Sequence, residues 1–214
     1  MPPIHRRFAL GALTMLSLLP LTLGRAAAAD SRTMVFFGDS VTAGYGLGDP
    51  SSEAFPALIQ ERINALRPGW RVVNAGLSGE TTSGGLRRVD WILRTPVDYF
   101  VLALGANDGL RGINPALTRT NLQQIIERVR AKNPKVTIVV AGMQMPPELG
   151  LEFSREFGEI FPAVAQKYGT ALIPFLLEGV GGSVELNQGD RIHPNAAGHA
   201  AIAETVWKSL RPLL

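Results

Sequence analysis

The sequence predicts an α/β domain, a three-layer α/β/α sandwich around a central, mainly parallel, five-stranded sheet. Three observations predict it. Short continuous apolar runs recur along the chain, long enough for strands and too short for buried helices. Segments with apolar residues at helical spacing separate them. The runs show little polar alternation, which marks strands covered on both faces, as in parallel sheets with helical crossovers.

Taken in order, residues 33–37 form a buried strand ending at Gly38. A helix follows over 53–66, with Phe55, Leu58, Ile59 and Ile63 on one face. Residues 71–74 are a second strand, 86–93 a second helix, and 99–104 a third strand, apolar throughout. Asn114 and Pro115 start a third helix, a capping side chain followed by a residue that needs no N–H there, and it runs to Lys132. A fourth strand over 136–141, a helix over 151–168 and a fifth strand over 171–173 complete the alternation. Pro194 and Asn195 open the last helix, which runs to Leu210.

The first residues differ from the rest. Arg6 and Arg7 precede a twelve-residue apolar run, 8–19, then Pro20 and a stretch of alanines at 26–29. Charge, apolar run and small-residue site is the order of an export signal, and the run is shorter than the roughly 20 residues needed to span a bilayer. The expectation is an export signal over 1–29, cleaved after Ala28 or Ala29, and one domain over 30–214. The arginine pair also fits the twin-arginine route. A periplasmic or secreted product without a membrane anchor follows. Residues 1–29 hold three arginines and no acid, which leaves 18 basic against 18 acidic residues. Such a balance implies no basic face for nucleic acid. The chain has no cysteine, which excludes disulfides, thiol nucleophiles and thiolate metal sites.

In a parallel sheet chemistry gathers at the carboxyl ends of the strands. Strand one leads into Gly38-Asp39-Ser40, strand two into Gly76-Leu77-Ser78-Gly79-Glu80-Thr81-Thr82, strand three into Gly105-Ala106-Asn107-Asp108-Gly109. Near the C-terminus stands Asp190-Arg191-Ile192-His193. Ser40, between a strand and a helical turn, has an exposed hydroxyl and a helix N-terminus that favours negative charge. Serine needs a base, and beyond the leader there are only His193 and His199. Asp190, three residues before His193, suits a carboxylate that holds the imidazole tautomer. The N–H groups of Ser40 and Gly76 and the amide of Asn107 suit an oxyanion hole. His199 is assigned no catalytic part, and Asp39 and Asp108 brace their loops. A candidate substrate wall consists of Leu77, Met143, Met145 and Pro146. The glycine-rich loop 77–85 is read as a mobile lid.

These four segments resemble the four blocks of the SGNH hydrolase superfamily, also called GDSL esterases, at Ser40, Gly76, Asn107 and His193. The stretches 76–82 and 105–112 are similar to its bacterial branch of thioesterase I, lysophospholipase L1 and arylesterases. Ala106 stands where that branch often has glycine. The resemblance implies a flavodoxin-like sheet and hydrolysis of short-to-medium acyl esters or thioesters (aryl esters, acyl-CoA, lysophospholipids) through an acyl-enzyme on Ser40. It implies no cofactor, no metal, a small-molecule substrate and a monomer.

Rival readings fit less well. A dinucleotide fingerprint starting at Gly44 needs glycine at 49, where Asp49 stands, and no Gly-Lys-Ser/Thr follows a glycine loop. A zinc hydrolase would need more ligands than two histidines. A non-catalytic acyl-binding protein would need no Ser, Asp and His set. A sugar deacetylase of the same fold is the nearest alternative, but the apolar loop at 143–147 favours lipid or aryl acyl groups.

Overall fold

The computed structural model describes residues 31–214; the expected export signal lies outside the described residues. Five strands, β1 (Thr33–Gly38), β2 (Arg71–Gly76), β3 (Tyr99–Ala103), β4 (Thr137–Ala141) and β5 (Ala171–Ile173), form one sheet in the order β2-β1-β3-β4-β5. Every neighbouring pair is parallel. The expected parallel five-stranded sheet is present, in the flavodoxin-like order.

The helices are α1 (Ser40–Ala43), α2 (Pro50–Glu53), α3 (Phe55–Leu66), α4 (Thr82–Ile92), α5 (Ala106–Leu110), α6 (Pro115–Lys132), α7 (Leu151–Tyr168) and α8 (Ala196–Leu210). α3 packs on α8, while α4 packs on α6 and α6 on α7. Successive residues of β1 point to these two layers. Phe36 meets Phe55 of α3 edge-on with ring centroids 5.3 Å apart, and Phe37 lies under Arg88 of α4 at 4.1 Å. β3, at the centre, is buried along its whole length.

Caps set several helix starts. Asn114 accepts from Ala116 N–H, with Pro115 at the first helical position. Asn195 accepts from Gly198 N–H at the start of α8.

Two elements depart from expectation. The helix expected over 53–66 starts at Phe55 instead, and Glu53 ends the separate α2, because Ala54 is extended and Pro56 has no N–H with which to continue the ladder from α2. The helix expected over 86–93 starts at Thr82, so the second half of the expected lid at 77–85 is the first turn of α4. Gly85 is there because a Cβ would lie 2.3 Å from Leu104 Cδ1, so glycine lets α4 approach β3. Asp108 fixes that first turn: its carboxylate accepts from Thr82 N–H at 2.8 Å and from Thr82 Oγ1 at 2.5 Å.

Candidate active site

The strand order reverses between β1 and β3, where open parallel sheets place their ligands, and Ser40 stands immediately after β1. The chain turns there because residue 38 is glycine: a Cβ would lie 2.0 Å from Thr42 Oγ1 and 2.8 Å from the Ala103 carbonyl. Asp39 caps α1 by accepting from Val41 N–H at 3.1 Å. Its carboxyl is buried, and desolvation pushes it up to about 7. Ser40 is 8% exposed.

His193 reaches Ser40 from the other end of the sequence. Its Nε2 lies 3.0 Å from Ser40 Oγ, and its Nδ1 lies 2.6 Å from Asp190 Oδ2. The other carboxylate oxygen accepts from the backbone N–H groups of Ile192 at 2.9 Å and His193 at 3.0 Å. The His193 N–H, the His193 ring and the Ile192 N–H together hold Asp190 down to about 2. A charged Asp190 requires the proton on Nδ1, which leaves the Nε2 lone pair facing the serine hydroxyl.

His193 sits on a long irregular segment between β5 and α8, and amide side chains hold it. Gln188 N–H donates to the His193 carbonyl at 2.8 Å. Its side-chain amide donates to the Tyr45 carbonyl at 2.7 Å and the Pro194 carbonyl at 3.0 Å, joining the loop after Ser40 to the loop of His193. The Tyr45 ring packs against the imidazole at a tilt of 48°, with centroids 4.6 Å apart. Arg191, between Asp190 and His193, has a left-handed φ of 60°. Sequence reasoning missed Gln188, because its contacts are to backbone carbonyls and leave no motif.

The expected oxyanion donors divide. Asn107 Nδ2 donates to the Glu80 carbonyl at 3.0 Å, which places the amide beside the turn at 77–80, and its second hydrogen meets no acceptor among the described residues. Gly76 does not fit its expected part, because its N–H donates to Asn74 Oδ1 at 3.0 Å. Its lack of a Cβ serves packing, since that atom would lie 2.2 Å from the Ala43 nitrogen. Gly79 is the better candidate. It has a φ of 76° in the turn closed by Glu80 N–H to the Leu77 carbonyl, and among the described residues its N–H meets no acceptor. Two glycines flank Leu77-Ser78, and positive φ distinguishes the second.

The expected substrate wall also divides. Leu77 is 52% exposed and Pro146 is exposed, but Met143 is 2% exposed and belongs to the core. Met145, 9% exposed, packs under α5, where a Cβ on Gly109 would lie 2.2 Å from its sulfur. Beside it is a depression of about 220 Å³ lined by Gly109, Leu110, Gly112, Leu149 and Phe153. A larger cavity, about 410 Å³, opens on the outer edge of β2, and neither hollow is lined by Ser40 or His193.

Serine, imidazole and carboxylate in one line at the switch point of a parallel sheet is the arrangement that acyl-transferring hydrolases use. Comparison with known proteins gives the family. Residues 36–201 match the GDSL-like Lipase/Acylhydrolase family. Esterase TesA of Pseudomonas aeruginosa is 41% identical over 187 residues, covering 87% of this chain and 91% of that protein. Thioesterase 1/protease 1/lysophospholipase L1 of Escherichia coli K12 is 37% identical over 203 residues, covering 94% and 93%. A crystal structure of TesA superposes with a TM-score of 0.80 at 40% identity, covering 86% of this chain and all of that one. The chain belongs to the GDSL-like lipase/acylhydrolase family and is a carboxylic ester hydrolase.

Proposed function

We propose that this enzyme is an exported serine esterase and thioesterase that releases short-to-medium acyl groups through an acyl-enzyme on Ser40. The contact of His193 Nε2 with Ser40 Oγ at 3.0 Å, backed by Asp190 at 2.6 Å, carries the reading. Ser40 Oγ attacks the carbonyl carbon as its proton passes to His193 Nε2. The oxyanion develops against the N–H groups of Ser40 and Gly79 and the second amide hydrogen of Asn107. The C–O or C–S bond then breaks, and the leaving alcohol or thiol takes the proton from His193. His193 Nε2 then takes a proton from water as the water oxygen attacks the acyl carbon, the bond from that carbon to Ser40 Oγ breaks to release the carboxylic acid, and His193 gives the proton to Ser40 Oγ.

The relatives' names include thioesterase and lysophospholipase, which supports acyl esters and thioesters as the substrate class. The depression lined by Leu110, Leu149 and Phe153, with Leu77 and Pro146 exposed at the same end of the sheet, suits an acyl chain. Each methylene buried there adds up to roughly 0.8 kcal/mol to transition-state binding. Export rests on the order of residues in 1–29.

A panel of p-nitrophenyl esters of rising acyl length tests this, run beside an acyl-CoA, a lysophospholipid and an acetylated sugar. Activity rises from acetate to an optimum between butyrate and octanoate and vanishes in Ser40→Ala. A clear preference for the acetylated sugar, with longer acyl chains rejected, would instead make the enzyme a deacetylase.

A further inference from the structure

Beneath the site lies a partly buried ion pair that the reaction as written does not use. Arg88, the seventh residue of α4, is paired with Glu80 and donates from Nε to its carboxylate at 2.6 Å. The Glu80 side chain is almost wholly buried. The same guanidinium donates from Nη2 to the Ala75 carbonyl at 2.8 Å and to the Gly38 carbonyl at 3.3 Å. Its face covers the Phe37 ring at 4.1 Å. Those carbonyls stand at the carboxyl ends of β2 and β1, and Gly38 is two residues before Ser40. Glu80 follows Gly79, and its own carbonyl accepts from Asn107.

One cation therefore touches two of the three segments that carry a candidate oxyanion donor and reaches the third through Glu80. It holds the Ser40 segment through Gly38, and the Gly79 turn through the Glu80 carboxylate. It holds Asn107 at one remove, through the Glu80 backbone. A buried ion pair is weak evidence for stability, because desolvating both charges offsets their attraction. A planar five-donor fork can fix three separate acceptors in one geometry, which an ammonium or an apolar side chain cannot reproduce.

We infer that Arg88 is a positioning residue for the oxyanion donors. It touches neither substrate nor the reacting atoms, and it sets the mutual placement of the Ser40 N–H, the Gly79 N–H and the Asn107 amide. The inference rests on the serine-esterase reading. It places Arg88 on the transition-state side of the reaction, so its loss moves kcat and leaves ground-state binding alone.

Steady-state kinetics on p-nitrophenyl butyrate test it, with Arg88→Lys, Glu80→Gln, Asn107→Ala and the Arg88→Lys/Asn107→Ala double variant. Arg88→Lys keeps the charge and loses the fork, and lowers kcat roughly 10- to 100-fold, part of what a complete oxyanion donor supplies. KM stays within about two-fold, and the midpoint of the pH–rate profile stays at the wild-type value, since His193 and Asp190 are untouched. The double variant falls well short of the product of the two single losses, because Arg88 acts partly through Asn107. Glu80→Gln lowers kcat in the same direction, and serves alone if circular dichroism shows Arg88→Lys unfolded. Losses that multiply, an effect confined to KM, or an undiminished kcat in a folded Arg88→Lys or in Glu80→Gln would overturn the inference. Ser40→Ala separates the two failures. An active Ser40→Ala removes the serine reading itself, whereas an inactive one beside undiminished Arg88 and Glu80 variants removes only the part given to Arg88.

Discussion

The two halves of the Ser40–His193 pair are held by different physics. Ser40 is held by packing: Gly38, Gly76 and Gly85 let backbone and helix approach to distances that a methyl group would block, and Asp39 caps the turn from a buried site. His193 and Asp190 lie on an irregular loop with a left-handed Arg191, held by hydrogen bonds from Gln188 and from the backbone. The comparison teaches where damage should appear. Changes to the glycines packed around Ser40 should cost folding before chemistry, and changes on the His193 side should cost chemistry with little folding.

The largest expected effect is on the loop side. Asp190→Asn keeps an oxygen for the Ile192 and His193 N–H groups but loses control of the imidazole tautomer, so kcat falls roughly 10³–10⁴-fold. The melting temperature stays within about 2 °C, because the residue is exposed. Kinetics and calorimetry on one preparation check both, and a large drop in melting temperature would erase the contrast.

The packing side shows the opposite pattern. Gly38→Ala drives a methyl into the Thr42 hydroxyl and the fixed Ala103 carbonyl. It costs on the order of 3 kcal/mol, read from urea unfolding. A variant of normal stability and no activity would show that residue 38 serves chemistry directly.

Two buried groups sharpen the contrast through pH. His199, under α3, accepts from Phe55 N–H at 3.2 Å, and burial pushes its imidazole down to about 4. The unfolded chain takes that proton near 6.5. Between those values the unfolded state binds more protons, so this group alone makes stability fall as pH drops from about 6.5 to 4. Asp39, raised to about 7 against 3.8, holds its proton longer in the folded state and makes stability fall as pH rises from about 4 to 7. In the wild type the two oppose each other. His199→Gln exposes the slope of Asp39 and Asp39→Asn exposes that of His199, each on the order of 2–3 kcal/mol. Urea titrations from pH 4 to 7 measure both, and variants with slopes of the same sign would contradict the assignment.

The smallest effect belongs to Gln188. Removing its amide in Gln188→Ala frees the Tyr45 and Pro194 carbonyls, at about 1 kcal/mol of stability, with kcat lowered roughly ten-fold through a looser His193. A normal kcat would mean that the backbone alone positions the base.

Much of this could be read in the amino-acid sequence, for reasons that differ by region. All five strands were readable because continuous apolar runs between helices have few other uses, and even the three residues of β5 stand out between α7 and a proline. The meeting of Ser40, His193 and Asp190 could be anticipated because Ser40 follows a strand and Asp190 lies three residues before His193. The start of α4 was not readable, because Gly84 and Gly85 read as loop until the nearness of Leu104 shows why a side chain is barred there. The choice between Gly76 and Gly79 was hidden too, because it turns on whether an N–H is already taken. Met143 reads as a ligand-facing methionine and is instead core, since exposure depends on how the loop after β4 folds back.

The central claim is that Ser40, activated by His193, carries the acyl group. A fluorophosphonate tests it most directly, because it is attacked as the substrate is and stays on the nucleophile. Peptide mass spectrometry after treatment should find one adduct, on Ser40, with no adduct in Ser40→Ala and slow labelling in His193→Gln. An adduct on any other residue, or labelling of Ser40→Ala at the wild-type rate, would contradict the account.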